Sequence, residues 1–165
     1  MKQSIIPTNF WDSAEMMALR GDPVSQTVAF YLVTSPRANV AGMYTCPFSC
    51  ISKDTGLALA DVTMAMQRLE KVGLCKYDHL HEIVWVRCMI SNQIGLGKKI
   101  SEKDSKIMRI IRIFDSTPDC DVKESFKSFY INVIDYLAHQ DLSEEKGTPP
   151  LRPPYAPPSG RFPYF

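Results

Sequence analysis

The sequence has almost no excess of charge: 19 Lys and Arg stand against 18 Asp and Glu, a formal net charge of +1. No strong overall field therefore draws the molecule onto nucleic acid, anionic lipid or an acidic substrate, and any basic surface has to come from local segregation. No run of about 18 apolar residues occurs, which excludes a spanning helix on the sequence. The N-terminal stretch MKQSIIPTNFWDS lacks an apolar core of signal-peptide length. The five cysteines (Cys46, Cys50, Cys75, Cys88, Cys120) are an odd number, poorly suited to a disulfide framework. Together these absences predict a soluble protein with reduced thiols in a cytoplasm.

What is present is core-forming material: 45% of the 165 residues are hydrophobic and 10% aromatic, enough for one compact domain with a tail. The 12 prolines are uneven, since Pro149, Pro150, Pro153, Pro154, Pro157, Pro158 and Pro163 place seven of them in the last 17 residues. That end cannot hold a helix or a central strand and reads as extended and polyproline-like. The divisions are 1–95, 96–141 and a Pro/Tyr-rich tail at 142–165.

Local signals order the first division. Asp22-Pro23 is a cap followed by a first-turn proline, and Val24, Val28, Tyr31 and Leu32 recur at helical spacing, predicting a helix over 23–34. Gly42-Met43-Tyr44-Thr45-Cys46 reads as a brief strand. Pro47 opens a short helix from Phe48 to about Lys53, closed by the turn Asp54-Thr55-Gly56. A longer helix follows from about Ala58 to Val72, with Leu59, Val62, Met66 and Leu69 as its apolar stripe and Gly73 as a left-handed cap. Leu74-Cys75-Lys76-Tyr77 and Ile83 to Met89 flank the polar turn Asp78-His79-Leu80-His81-Glu82, which predicts a hairpin. Helix, strand, helix, tight turn, helix and hairpin in this order specify a winged helix-turn-helix, a mostly α fold with a small β-hairpin.

Past the hairpin, Gln93-Ile94-Gly95-Leu96-Gly97 reads as a connector whose glycines match no phosphate-binding pattern. Ser101-Glu102-Lys103-Asp104 resembles a capping box. Two apolar stripes, Ile107, Ile110, Ile111 and Phe114, then Phe126, Phe129, Tyr130, Val133 and Leu137, predict helices over 101–115 and 122–140. These need cover from each other, from the winged helix or from a second copy of the chain, so self-association stays open.

At this point the residues resemble a family. Asn9-Phe10-Trp11-Asp12, the helix at 23–34, Asn39-Val40-Ala41-Gly42-Met43-Tyr44, Asp54-Thr55-Gly56-Leu57, Leu69-Glu70-Lys71-Val72-Gly73-Leu74 and Val84-Trp85-Val86-Arg87 are similar to the winged-helix domain of phage and prophage replication proteins. Those are replication initiators or DnaD-like replisome organisers. The likeness covers about residues 5–95 and continues in Ser91-Asn92-Gln93, two helices and a Pro/Tyr-containing tail. It implies binding of double-stranded DNA at an origin in a bacterial host and contact with a helicase or helicase loader, and it carries no catalytic residue.

Read for DNA binding, the last helix of the helix-turn-helix offers Ala58, Ala60, Asp61, Thr63, Met64 and Gln67, with Lys53 and Thr55 just ahead and Arg68 and Lys71 farther along. Gln67 can pair with adenine and Thr63 can touch base or phosphate, whereas Asp61 repels the backbone. The hairpin adds Lys76, His79, His81 and Arg87, the histidines being largely neutral at cytoplasmic pH. A richer run lies at Lys98, Lys99, Lys103, Lys106, Arg109 and Arg112, six cations against Glu102 and Asp104. It serves either as a solvated helix face or as a source of phosphate affinity. In the tail, Tyr155, Phe162, Tyr164 and Phe165 suit an extended ligand for an aromatic groove on a partner.

Other chemistry is thinly supported. Cys46-x-x-x-Cys50 and His79-x-His81 lack the knuckle spacing of structural zinc and read as free thiols and wing histidines, so no metal or cofactor is expected. No cysteine has a local context that pairs it with His79, His81 or His139, and Glu144-Glu145 lies in an exposed polar stretch, so no enzyme is expected. The leading expectation is a DNA-binding replication protein. The alternatives are a phage adaptor or inhibitor that uses the winged helix to bind a host protein, and a transcriptional regulator.

Overall fold

The computed structural model describes residues 4–94 and 105–130, with the side chains of 93 and 94 left aside. A 3-10 turn at Phe10–Asp12 and helix α1 (Ala14–Ala18) lead into α2 (Pro23–Thr34), strand β1 (Met43–Thr45), α3 (Phe48–Thr55) and α4 (Leu59–Lys71). The hairpin β2 (Cys75–Asp78) and β3 (Ile83–Val86) follows, then α5 (Met89–Ile94), α6 (Ser105–Ser116) and α7 (Asp121–Phe129). The strands form one antiparallel sheet in the order β1-β3-β2. This is the expected winged helix-turn-helix, with two further helices behind it.

Helix starts and stops follow local chemistry. Asp22 caps α2 by accepting the Ser25 N–H at 3.1 Å and the Ser25 hydroxyl at 2.6 Å, and Pro23 occupies the first turn, where no intrahelical N–H is needed. Gly56 ends α3 at φ 75°, its N–H reaching the Ser52 carbonyl at 2.9 Å. Gly73, at φ 83°, closes α4 as expected, while the Leu74 N–H returns to the Leu69 carbonyl at 3.0 Å. Gly42 is required for another reason: at φ 74°, a Cβ would stand 2.5 Å from the Val86 carbonyl oxygen.

The sheet separates two cores. On its inner face, Val28, Ala29, Leu32 and Val33 of α2, Ile51 of α3 and Val62, Met66 and Leu69 of α4 pack with Tyr44, Cys75, Tyr77, Val84 and Val86. The Tyr44 hydroxyl donates to the Leu32 carbonyl at 2.6 Å, so this buried phenol is satisfied. On the outer face, Ile107 and Ile110 of α6 and Val122 and Phe126 of α7, with Tyr130, cover Ala41, Met43, Ile83 and Trp85. Every residue of β3 is therefore buried: Val84 and Val86 face the helix-turn-helix, and Ile83 and Trp85 face the extension. Trp85 is 1% exposed, its ring 5.6 Å from that of Phe126 and 5.4 Å from that of Phe129. The cover required by the two amphipathic helices is thus the chain's own sheet.

Several details differ from the sequence reading. Leu59, assigned to the buried stripe of α4, is 54% exposed, because Leu57 before the helix supplies the apolar contact with the core. Residues 89–94, read as the end of a strand and a connector, form α5, with Met89 buried in the inner core. The short helical elements before residue 20 were not anticipated, yet Phe10, Met16 and Leu19 all enter that core. The proposed capping box at 101–104, the second-helix positions Val133 and Leu137, and the tail lie outside the described residues.

Candidate nucleic-acid interface

The tight turn at Gly56 sets α4 after α3, and burial of Val62, Ala65, Met66 and Leu69 directs the opposite side of α4 outward. Ala58, Leu59, Ala60, Asp61, Met64, Gln67, Arg68 and Lys71 are exposed there, and Lys53 is exposed in the last turn of α3. Two apolar side chains are exposed among them, Leu59 at 54% and Met64 at 52%.

The remaining candidates are engaged to different degrees. Thr63 is half-buried and its hydroxyl donates to the Leu59 carbonyl at 2.9 Å. Thr55 donates to the Ile51 carbonyl at 2.6 Å and accepts the Leu57 N–H at 3.3 Å, which makes it part of the turn itself. Arg68 forms an ion pair with Asp22, the cap of α2. The Asp22 carboxyl is held below its ordinary value of 3.8, first by the Ser25 hydroxyl, against the opposing effect of burial, with Arg68 adding to the lowering.

In the hairpin, Leu80 stands out at 83% exposure. His79 is exposed and rests edge-on against Tyr77 and Phe48, at centroid separations of 5.0 and 5.8 Å. His81 Nδ1 lies 2.7 Å from Asp78 Oδ2, and this hydrogen bond is the largest influence holding the Asp78 carboxyl low. Lys76 points to the outer side of the sheet, where its Nζ donates to Ser125 Oγ of α7 at 2.7 Å. Arg87 stacks over Trp85 and Phe129 at 5.5 and 5.9 Å.

The structure therefore gathers Lys53, Gln67 and Lys71 as exposed polar groups around α4, flanked by Arg68 in its ion pair. It does not bring the described cations of the basic run to them. Arg109 and Arg112 are exposed on α6 and Lys106 is half-buried there, and α6 packs on the sheet face away from α4. Lys98, Lys99 and Lys103, and the tail residues Tyr155, Phe162, Tyr164 and Phe165, lie outside the described residues. From residue 4 to 94 there are seven Lys and Arg (20, 37, 53, 68, 71, 76, 87) against eight Asp and Glu (12, 15, 22, 54, 61, 70, 78, 82).

Among the described residues Cys46, Cys50, His79 and His81 do not come together as a ligand set. Cys46 is buried in the inner core, where burial pushes its pKa up to about 12. Cys75 pairs with Val86 across the ladder, Cys88 lies beyond the strand, and all five cysteines are free. One grouping that sequence reasoning missed is Asp78, His81 and Cys120, whose ligand-capable atoms lie within 4.8 Å of one another. No local spacing signals it, because Cys120 comes from the other core.

Among the described residues no helix is long and apolar enough to cross a membrane. In comparison with known proteins, the chain matches no family model, no curated protein and no solved structure. The class it can be given is the one its topology defines, a winged helix-turn-helix with a helical extension packed on the back of the sheet.

Proposed function

We propose that this chain is a DNA-binding winged-helix protein of phage-type replication, acting by binding and not by catalysis in the cytoplasm of a bacterial host. The observation that carries this reading is the outward side of α4: Ala58, Leu59, Ala60, Asp61, Met64 and Gln67 are exposed immediately after the Gly56 turn. A helix-turn-helix presents this region of its second helix to the major groove. Gln67 is the base-reading group, able to bond adenine N6 and N7, and the apolar Leu59 and Met64 suit thymine methyl groups. Lys53 and Lys71 serve the phosphates, with Arg68 joining them by exchanging Asp22 for a phosphate. Recruitment of a helicase or helicase loader rests on the family resemblance, and the aromatic, Pro-rich tail sequence is suited to that contact.

The test is fluorescence anisotropy of the full chain on origin-derived and random duplexes across a salt series. Two or three phosphate contacts predict a slope of log K against log salt of roughly −2 to −3. Gln67→Ala should erase the preference for the origin duplex, and Lys53→Ala with Lys71→Ala should weaken both duplexes alike. Equal loss on both duplexes in Gln67→Ala removes its readout role.

A second reading, a protein-binding adaptor, is favoured by the exposed Leu59 and Met64 on the same helix and the slight acidic balance of residues 4–94. It predicts no duplex binding at low salt and loss of a co-purifying host protein in Leu59→Ala with Met64→Ala.

A further inference from the structure

The hairpin turn holds two potential ligands in fixed positions. Asp78 Oδ1 accepts the Leu80 N–H at 2.8 Å, and Asp78 Oδ2 lies 2.7 Å from His81 Nδ1, so the carboxylate and the imidazole are held side by side. A third arrives from the opposite core. Cys120 is the residue that caps α7, a position where a side-chain oxygen ordinarily turns back onto the first amides of the helix. Cys120 makes no such bond. Its sulfur lies instead at the hairpin turn, and one donor atom from each of Asp78, His81 and Cys120 falls within 4.8 Å of the other two. All three residues are half-buried, sheltered from bulk water yet reachable by an ion.

The donor set selects the metal. A thiolate sulfur, an imidazole nitrogen and a carboxylate oxygen are zinc ligands, whereas calcium and magnesium call for oxygen alone. Zinc bonds of about 2.0 to 2.3 Å at tetrahedral angles set neighbouring ligand atoms roughly 3.3 to 3.8 Å apart. Asp78 Oδ2 and His81 Nδ1, 2.7 Å apart, would have to separate by roughly half an ångström, and no pair of the three atoms, all within 4.8 Å, would have to close by more than about an ångström. A carboxylate and a thiolate balance the charge of the divalent ion, the thiol proton passing to solvent on binding.

We propose that Asp78, His81 and Cys120 form a zinc site, with water in the fourth position, that clamps the wing turn to the start of α7. The site joins two segments distant in sequence and fixes the angle of the wing against the extension. It also withdraws His81 from any role at a phosphate. It stands independently of whether α4 reads DNA.

The experiment is an anaerobic Co²⁺ titration of the reduced full chain. The expected result is one equivalent bound per chain, a thiolate-to-cobalt band in the near ultraviolet, the intense visible bands of a four-coordinate ion, and their loss when Zn²⁺ is added. Cys120→Ser should abolish the thiolate band, and His81→Ala and Asp78→Asn should each weaken binding by more than about tenfold. Cys50→Ser, which alters another half-buried thiol, should behave as wild type. No thiolate band, a six-coordinate spectrum, or an unchanged spectrum in Cys120→Ser overturns the proposal. A second readout needs no variant: alkylation of the native chain followed by peptide mass spectrometry should show Zn²⁺ protecting Cys120. Alkylation of Cys120 at the same rate with and without Zn²⁺ also overturns it.

Discussion

Phe126→Ala tests whether the winged helix and the C-terminal helices are one folding unit. Phe126 is 1% exposed, and its ring lies 5.0 Å from Tyr130, 5.6 Å from Trp85 and 5.7 Å from Phe114. Truncation removes the ring from a site walled by the sheet on one side and by α6 on the other, where little can collapse into the space. The expected cost is about 3 to 5 kcal/mol, transfer and cavity contributions together. Against a total stability of roughly 5 to 15 kcal/mol this is a large fraction. At a few degrees per kcal/mol for a chain of this size, the melting temperature should fall by roughly 10 to 20 °C. The assay is thermal and urea unfolding followed by far-ultraviolet circular dichroism and by Trp85 emission. Trp11, at 51% exposure, is replaced by Phe to leave Trp85 as the only reporter. Both signals should move together in a single transition at the lowered midpoint. A dichroism transition unchanged from the parent, with Trp85 already emitting as a solvated indole in the folded variant, would refute the idea that α6 and α7 cover the sheet.

Two glycines with the same backbone sign should respond differently. Gly56→Ala, with open space around the added methyl, should cost about 1 to 2 kcal/mol from the left-handed conformation alone. Gly42→Ala adds a collision with the Val86 carbonyl and Met89 Cβ and should exceed about 3 kcal/mol, so equal urea midpoints for the pair would contradict the close approach. Asp22→Ala should cost about 1 kcal/mol through loss of the α2 cap, read by chemical denaturation at neutral pH. Because the folded Asp22 carboxyl is held below its ordinary value of 3.8, its stabilisation is complete above that value and is lost as pH falls through the lower folded value. Asp22→Asn should therefore flatten the acid limb of the stability profile while retaining part of the cap.

The helix-turn-helix was legible because its signals are local. Asp22-Pro23, Asp54-Thr55-Gly56 and Val72-Gly73 each mark a boundary by chemistry confined to a few residues, and the observed ends of α2, α3 and α4 fall within two residues of those marks. Periodicity served less well at the margin of an element. Leu59 has the spacing of a core residue, yet Leu57 takes the core contact and Leu59 is left exposed in the first turn of α4. The α5 turn was missed because Ile83-Val84-Trp85-Val86 reads as a strand with no turn residue to mark its end before Met89, and only Met89 beneath Gly42 draws the chain back into the inner core.

The candidate site was legible as a set of residue types but not as an arrangement. Arg68 and Lys76 read equally as cations, but one pairs with the cap of α2 and the other with Ser125 of α7. The amphipathic stripes of 107–114 and 126–130 showed that these helices need a partner surface. They could not show that the surface is the back of the chain's own sheet, which places the exposed Arg109 and Arg112 on the face away from α4.

By itself, then, the sequence determined the order of elements, their caps, their apolar faces and the near absence of net charge, all of which depend on neighbours within a turn or a strand pair. Tertiary structure alone decided that Arg68 and Lys76 find partners, that both faces of β3 are buried, and that Cys120 meets Asp78 and His81. The physical reason is range. Caps and periodicity act over a few residues, whereas the partner of a side chain on a packed face is chosen by which distant surface offers the largest apolar burial.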